Sequence, residues 1–495
     1  MGRDSIELFH RIVVWVGKKD LLPVVLTSLS FFISVLLYYQ ADIQLVLQFF
    51  VICSLQIFIS KYNKIYSSVV PLEIKSKKSD RKVTKWGKQA CLLGCIVPIV
   101  YLLSPAVSWA VVGLISCIYS ITIRDVLLRG IRRKHSSQEV RNYLKSQRPE
   151  IAVYVTGLAE VAYQINQWIP VLAKLNKEVV IIIRESRAYD GIVKTSMPVV
   201  FARTQLELEV LLGPGTSIEK VLYPANTMKN VQALRYYKLK HFFINHGESD
   251  KAVNQSKMLM AYDYLLVAGP LSESRLRDAG LPLRERQVIH VGRPQTEMLL
   301  DVVREKSQIK TLLYAPTWEG HVKNVDYSSV DKFGYELCKE ILETKRYKVV
   351  FKPHPYTGEN NRNKSKYLKK LIKLFEENRD SGGEIYDGSK TIYELMNDSD
   401  ALICDVSSVL NDYLSTGKPI FLCNPMGLET ERLELEFPSS RSAYILSSSR
   451  DVVSTIESVD SFDEKGSLRE EVRNESLGSF EKGSFEKFSS AIELE

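Results

Sequence analysis

The chain changes character near residue 150, from long charge-free apolar runs to short apolar runs separated by helix-length polar segments. "LLPVVLTSLSFFISVLLYY" (21–39) carries no charge over about the length that a bilayer-crossing helix needs. Ile43–Ile59 follows after only Gln40, Ala41 and Asp42, so the two runs predict a helical hairpin. The third block, Ala90–Ile123, as one helix would overshoot the hydrocarbon by roughly 20 Å at 1.5 Å per residue. With Ser104-Pro105 near its middle, it predicts two short spans or a re-entrant hairpin.

From "IAVYVTG" (151–157) onward the pattern alternates. "EVVIIIRE" (178–185), "PVVFA" (198–202), "EKVLYPA" (219–225), "HFFINHG" (241–247), "YDYLLVAG" (262–269) and "RQVIHVGRP" (286–294) are strand-like, with helical or polar connectors between them. A second series begins at "KTLLYAPTW" (310–318) and continues through "YKVVFKPHP", "EIYDG", "ALICD" and "PIFLC" (419–423), with helices near 331–344, 365–378, from Thr391 and after Ser408. Thr391 and Glu394 have capping-box spacing, and Gly417-Lys418-Pro419 stops the next helix. Wholly apolar strands between helices predict parallel sheets covered on both faces. The fold class expected is therefore α/β, two doubly wound parallel-sheet domains preceded by a helical membrane region. The boundaries are 1–134 for the membrane region, 135–304 and 305–446 for the two halves, and 447–495 for a Ser- and Glu-rich tail. Its near repeat "SFEKGSFEKF" predicts a short terminal helix and is assigned no chemistry.

A length of 495 residues suits several domains. The net charge of +8 matters through its placement. Between Lys61 and Lys88 lie nine Lys or Arg against Glu73 and Asp80, and Arg124, Arg129, Arg132, Arg133 and Lys134 form a second cluster. Basic clusters beside apolar runs favour a membrane surface over nucleic acid, and the positive-inside tendency puts the α/β halves in the cytoplasm of a multi-pass protein. The cysteines, Cys53, Cys91, Cys95, Cys117, Cys338, Cys404 and Cys423, show neither a disulfide framework nor zinc spacing.

Candidate chemistry gathers where strands end. No GxxxxGK[ST] and no strand-linked GxGxxG occurs, which argues against a P-loop enzyme and a standard dinucleotide fold. In "ALICDVSSVLNDYL" a strand ends at Asp405, and Ser407 and Ser408 open a helix whose free N–H groups suit an anion. Asp405 is expected to hold the turn or a hydroxyl, with Asp412 doing similar work from the helix. Lys352 and His354 end another strand between stiffening prolines 353 and 355. In "HFFINHGESDK", His246 ends a strand of the opposite half and is the candidate proton acceptor. Gly247 leaves room for a ligand or a sharp turn, and Ser249, Asp250 and Lys251 are placed to orient the imidazole or meet an anion. Thr317 and Trp318 suit a pocket wall or packing. Arg293 suits a phosphate contact or an interdomain ion pair. Asp398-Ser399-Asp400 matches a loose DxD pattern but sits between a helix end and a strand start, so it is read as a turn. No cofactor and no essential divalent metal is expected.

Together "NHGESDK", "VGRP", "YAPTWEG", "KPHPYTG" and "DVSSVLNDYL", in this order over about residues 150–450, resemble the CDP-glycerol glycerophosphotransferase family, which includes teichoic-acid primases and polymerases. The resemblance implies a GT-B-like fold and transfer of glycerol phosphate from CDP-glycerol to a lipid-linked or glycan hydroxyl at the cytoplasmic membrane face, with CMP released. It puts the family's two functional histidines at His246 and His354 and its pyrophosphate serines at Ser407 and Ser408. The alternative is a transferase using CDP-ribitol or a CMP- or UDP-sugar. CDP-glycerol, the acceptor and membrane lipids are the expected partners. Nucleic acid is not, and homo-oligomer formation is left open.

Overall fold

The computed structural model describes residues 22–38, 43–68, 90, 93–157, 161–251, 256–299, 308–320, 326–479 and 483–494. The turn 40–42, the lysine-rich stretch beyond residue 68 and Cys91 lie outside them. The chain forms two compact units, residues 1–148 with 199–216, and residues 149–198 with 217–495.

In the first unit the described helices are Leu22–Tyr38, Ile43–Ser68, Val97–Leu103 and Pro105–Gln147. Ile52, Ala90, Val97, Val112, Ile115 and Tyr119 form its core. Polar side chains are buried as well: the Gln56 amide donates to Thr27 Oγ1 at 2.9 Å, and Ser108 donates to Gln48 Oε1. Several outward-facing positions are apolar, among them Phe32, Leu36, Ile43, Phe50 and Leu103.

One expectation for this region needs correction. Among the described residues no helix is long and apolar enough to cross a membrane. The helix Ile43–Ser68 carries Gln44, Gln48 and Gln56 within its apolar run. The fold-back expected within 90–123 is present: Ser108 Oγ donates to the Val97 carbonyl at 3.3 Å, so Val97–Leu103 packs back along the start of the next helix, whose Val112 shares its core. Extended Ser104 does break the chain, accepting from Val107 N–H as the cap of a helix with proline in its first turn. That helix then runs 43 residues, past the boundary set at 134, because no proline interrupts it before Arg148 ends it at φ 48°. The strand Val199–Phe201 and the helix Gln205–Leu212, with its Thr204/Glu207 capping box, also belong to this unit.

Strands are numbered along the chain: β1 Ile151–Val155, β2 Val179–Ile183, β3 Val199–Phe201, β4 Lys220–Tyr223, β5 Lys240–Phe243, β6 Tyr264–Val267 and β7 Val288–His290. In the second unit β1 pairs with β2 on one side and β4 on the other, and parallel pairing continues through β5 and β6 to β7. The second sheet contains β8 Thr311–Ala315, β9 Lys348–Phe351, β10 Gly383–Ile385, β11 Ala401–Cys404, β12 Ile420–Cys423 and β13 Tyr444–Leu446. Its order is β10-β9-β8-β11-β12-β13, all parallel. The chain order therefore reverses beside β1 and beside β8, where open α/β sheets bind ligands at the carboxyl ends of their strands.

Successive strand residues face opposite cores. Leu312, Tyr314, Val349, Phe351 and Ile403 pack on one side, while Leu313, Ala315, Val350, Leu402 and Cys404 pack on the other. With both faces buried, polar alternation disappears, which is why the strands read as continuous apolar runs. β13 escaped the sequence reading, being three residues in a Ser-rich setting. Residues 447–495 are not a polar tail. Val452–Ser461, Gly466–Leu477 and Ser484–Ile492 are helices, and Val452, Ile456 and Val459 at helical spacing join the core of the second sheet.

Candidate active site

At the carboxyl end of β5 the backbone turns at Asn245, φ 50°, a conformation that asparagine tolerates better than most residues. Asn245 Oδ1 accepts from His246 N–H at 2.8 Å, and the Asn245 carbonyl accepts from Trp168 Nε1 at 2.6 Å. His246 is thereby held from both sides of its backbone. Its Nδ1 lies 2.8 Å from the Pro224 carbonyl, an acceptor, so the hydrogen-bond network assigns the proton to Nδ1. Nε2 keeps its lone pair and is 3.4 Å from the Tyr163 hydroxyl. Burial pushes the His246 pKa down to about 4; the Pro224 contact opposes this, and the Arg293 charge adds to it.

Asp250, placed by the sequence to orient the imidazole or meet an anion, is committed elsewhere, as is its neighbour Glu248. Glu248 accepts from Ser272 Oγ at 2.9 Å and from Arg275, while Asp250 pairs with Arg275 and accepts from Ser439 N–H at 2.8 Å. The turn points them away from His246. Gly247 owes its identity to packing: a Cβ there would lie 2.7 Å from Ser408 Oγ. The room it provides is filled by the other half of the protein.

In the opposite half, β9 delivers Lys352 and His354 into a bend that Glu319 fastens. The Glu319 carboxylate accepts from the N–H groups of Gly358, Asn360 and Asn361 at 2.9, 2.9 and 3.1 Å. His354 Nδ1 accepts from Tyr356 N–H at 3.1 Å, so the neutral ring carries its proton on Nε2, the opposite tautomer to His246. Trp318 stacks on the His354 ring at 5.9 Å and 16°. Burial holds the His354 pKa down to about 3, with Lys352, Lys251 and His246 adding repulsion. Both rings pack edge-on against Tyr163, at centroid distances of 5.5 Å for His246 and 5.8 Å for His354. The two imidazoles, from separate sheets, thus share one phenol.

Two cations complete the basic wall. Lys352, its pKa lowered by burial, places its ammonium 5.4 Å over the Tyr386 ring. Lys251 donates to Thr317 Oγ1 at 2.9 Å, and burial lowers its pKa to about 8 against the pull of Asp405 and Asp326. Asp405 is fully buried and accepts from Thr317 N–H and Ser329 N–H at 2.8 and 3.1 Å. Burial raises its pKa to about 6. Both bonds go to Oδ2, which holds the turn, and among the described residues nothing hydrogen-bonds Oδ1.

Ser407 precedes the helix Ser408–Tyr413, and among the described residues nothing hydrogen-bonds its buried Oγ. Arg293 and Asp412, both expected at a ligand, are committed to each other through contacts of 2.8 and 3.1 Å. The ion-pair alternative for Arg293 is the one realised. Burial opposes the guanidinium charge, but Asp412 more than offsets this and holds its pKa above the ordinary value. In the DxD-like segment, Asp400 accepts from Lys310 and Thr311 N–H groups and Asp398 pairs with Lys390. Among the described residues no group of His, Cys, Asp or Glu is disposed to hold a metal ion.

The sequence reading missed Tyr163, Tyr356 and Tyr386. Tyr356 lies inside the "KPHPYTG" stretch and was open to being found; Tyr163, on the short helix Ala162–Asn166, carries no local signal.

A solved structure of the wall teichoic acid polymerase TagF is 16% identical, with a TM-score of 0.48 over 75% of this chain and 95% of that one. A UDP-GlcNAc 2-epimerase structure from Methanocaldococcus jannaschii is 14% identical, with a TM-score of 0.41 over 65% and 98%. A teichoic acid ribitol-phosphate primase of Bacillus spizizenii is 28% identical over 224 residues, 42% of this chain, and the match spans about half (53%) of the primase. The family model described as CDP-Glycerol:Poly(glycerophosphate) glycerophosphotransferase matches residues 216–486, more than half of the chain and with both histidines inside it. The chain belongs to that family.

Proposed function

We propose that the protein transfers a polyol phosphate, glycerol phosphate in the first instance, from its CDP-linked donor to an acceptor hydroxyl of a teichoic-acid-like polymer, releasing CMP. The observation that carries this reading is the pair of imidazoles, one from each sheet, packed edge-on against one phenol, with His246 Nδ1 on the Pro224 carbonyl and His354 Nδ1 on the Tyr356 N–H. His246 Nε2 is free to accept the proton of the attacking hydroxyl. His354 Nε2–H is a donor suited to a phosphate oxygen, and Lys352 and Lys251 supply charge as the pyrophosphate linkage breaks toward CMP. The unpartnered Ser407 hydroxyl adds a donor on the same wall. With a pKa of about 4 the empty-site His246 is a weak base. A bound pyrophosphate raises it, because nearby negative charge favours the imidazolium. CDP-ribitol remains the competing donor, favoured by the likeness to a ribitol-phosphate primase.

The outward apolar face of the first unit, with Thr27, Gln48, Gln56 and Ser108 turned inward, supports contact with lipid. The basic clusters support a cytoplasmic placement of the α/β halves. Membranes of cells expressing the chain, washed with carbonate, should release CMP from CDP-glycerol and incorporate glycerol phosphate into polymer. Activity that washes off sinks the lipid placement. Silence with both CDP-alditols sinks the transfer.

The pH profile follows from the site. His246 is deprotonated above about pH 4 and Lys251 is protonated below about pH 8. kcat/KM should therefore show no histidine limb near 6.5 and should decline above about 8 as Lys251 loses its charge. Lys251→Arg should move the alkaline limb to higher pH, and an unmoved limb would assign it to another group.

A further inference from the structure

The helix Ser484–Ile492 holds the second copy of the "SFEK" repeat, to which the chemistry above gives no part. It packs against residues of the first half. Glu297 Oε1 accepts from Phe485 N–H at 2.6 Å, and a Cβ on Gly483 would collide with that carboxylate at 2.8 Å. Lys174, 3.9 Å from Glu297, lies 5.6 Å over the Phe485 ring. One turn further on, the fully buried Phe488 ring lies 5.0 Å from the ring of Trp168, itself buried. Trp168 donates its indole N–H to the carbonyl of Asn245, the left-handed residue immediately before His246. A continuous chain of contacts therefore runs from the carboxyl terminus to the backbone of the proposed base.

We infer that Phe488 is a positioning residue for His246, acting through Trp168. The inference rests on the catalytic reading of His246 given above. Asn245 is in the left-handed region, φ 50°, which a non-glycine residue keeps only where its surroundings hold it. The indole N–H secures one side of that turn, and Phe488 fixes the indole in plane. Loss of the aromatic ring lets Trp168 tilt and frees the Asn245 carbonyl. The imidazole then samples orientations in which Nε2 no longer faces the acceptor. A displacement of about 1 Å at a reacting group lowers turnover by roughly 10²-fold.

The test compares Phe488→Ala, Phe488→Tyr, Trp168→Phe and the double variant Phe488→Ala/Trp168→Phe, as full-length chain. Phe488→Ala should lower kcat at least tenfold with donor KM changed less than threefold, and Phe488→Tyr should restore it. Trp168→Phe, which keeps the ring packing but loses the N–H, should show a similar kcat loss. The double variant should be no worse than about the poorer single, since both break one path. Nitrogen-15 NMR of labelled histidine, with His246 assigned through His246→Gln, reads the same path without turnover. The wild type should show a single Nδ1–H tautomer and Trp168→Phe a mixture. An unchanged His246 signal in both single variants would overturn the inference. So would multiplicative kcat losses, or a Phe488→Ala loss that Phe488→Tyr does not rescue. A wild type without turnover on any CDP-alditol would defeat the proposed function, while the NMR comparison would still decide the positioning.

Discussion

Protein carrying His246→Gln should release CMP on the order of 10² to 10⁴ times more slowly than wild type at saturating donor and acceptor. Glutamine retains the length and a donor for the Pro224 carbonyl, which now accepts from His246 Nδ1 at 2.8 Å. What it lacks is a basic nitrogen at the position of Nε2. The Trp168–Asn245 bond is untouched and only the edge contact with Tyr163 is lost, so thermal stability should change much less than kcat. KM for the donor should move much less than kcat, because the proton is transferred in the transition state and not on binding. His246→Gln with CMP release within about threefold of wild type would remove the base assignment. Tyr163 and His354 would then be the groups left to explain.

The second large effect concerns folding. Arg293 and Asp412 come from different sheets, 119 positions apart, and only 3% and 8% of their side-chain surfaces are exposed. Removing one partner strands a buried charge, so Arg293→Met should destabilise the α/β unit by about 3 to 5 kcal/mol. The loss should also reach the site, since Arg293 Nη2 lies 3.4 Å from the His246 carbonyl and 3.3 Å from Gln167 Oε1. Arg293→Met with Asp412→Leu replaces the pair by apolar groups and should be more stable than the single Arg293→Met. Equilibrium urea unfolding, followed for both variants under the same conditions, separates the outcomes. If the double variant were no more stable than Arg293→Met alone, the charges would not be coupled as a pair.

The strands and the ends that carry His246, Lys352, His354 and Ser407 were legible because a doubly covered parallel strand is an uninterrupted apolar run. The residue that stops the run is the residue presented at its carboxyl edge. The capping box at Thr391 and Glu394 was legible for the same local reason, and it forms with both reciprocal bonds. The family resemblance rested on these edges and holds. Helical length near the amino terminus was less legible. Hydropathy reported apolar blocks, but nothing local told that the helix from Pro105 would continue to Gln147. The tail was misread because serine and glutamate dominate its composition, while the buried positions Val452, Ile456 and Val459 matter only through their spacing.

Residue order alone therefore determined the two α/β halves and the strand ends that carry the candidate residues, since strand termination and proline restriction act between near neighbours. Tertiary structure alone decided that Tyr163 lies between the two imidazoles and that Gly247 makes room for Ser408 instead of a ligand. It also decided that Arg293 and Asp412 serve each other, and that the last helix reaches back to Trp168. Each of those outcomes joins residues of ordinary local type across long stretches of chain, where contact depends on how the whole unit closes.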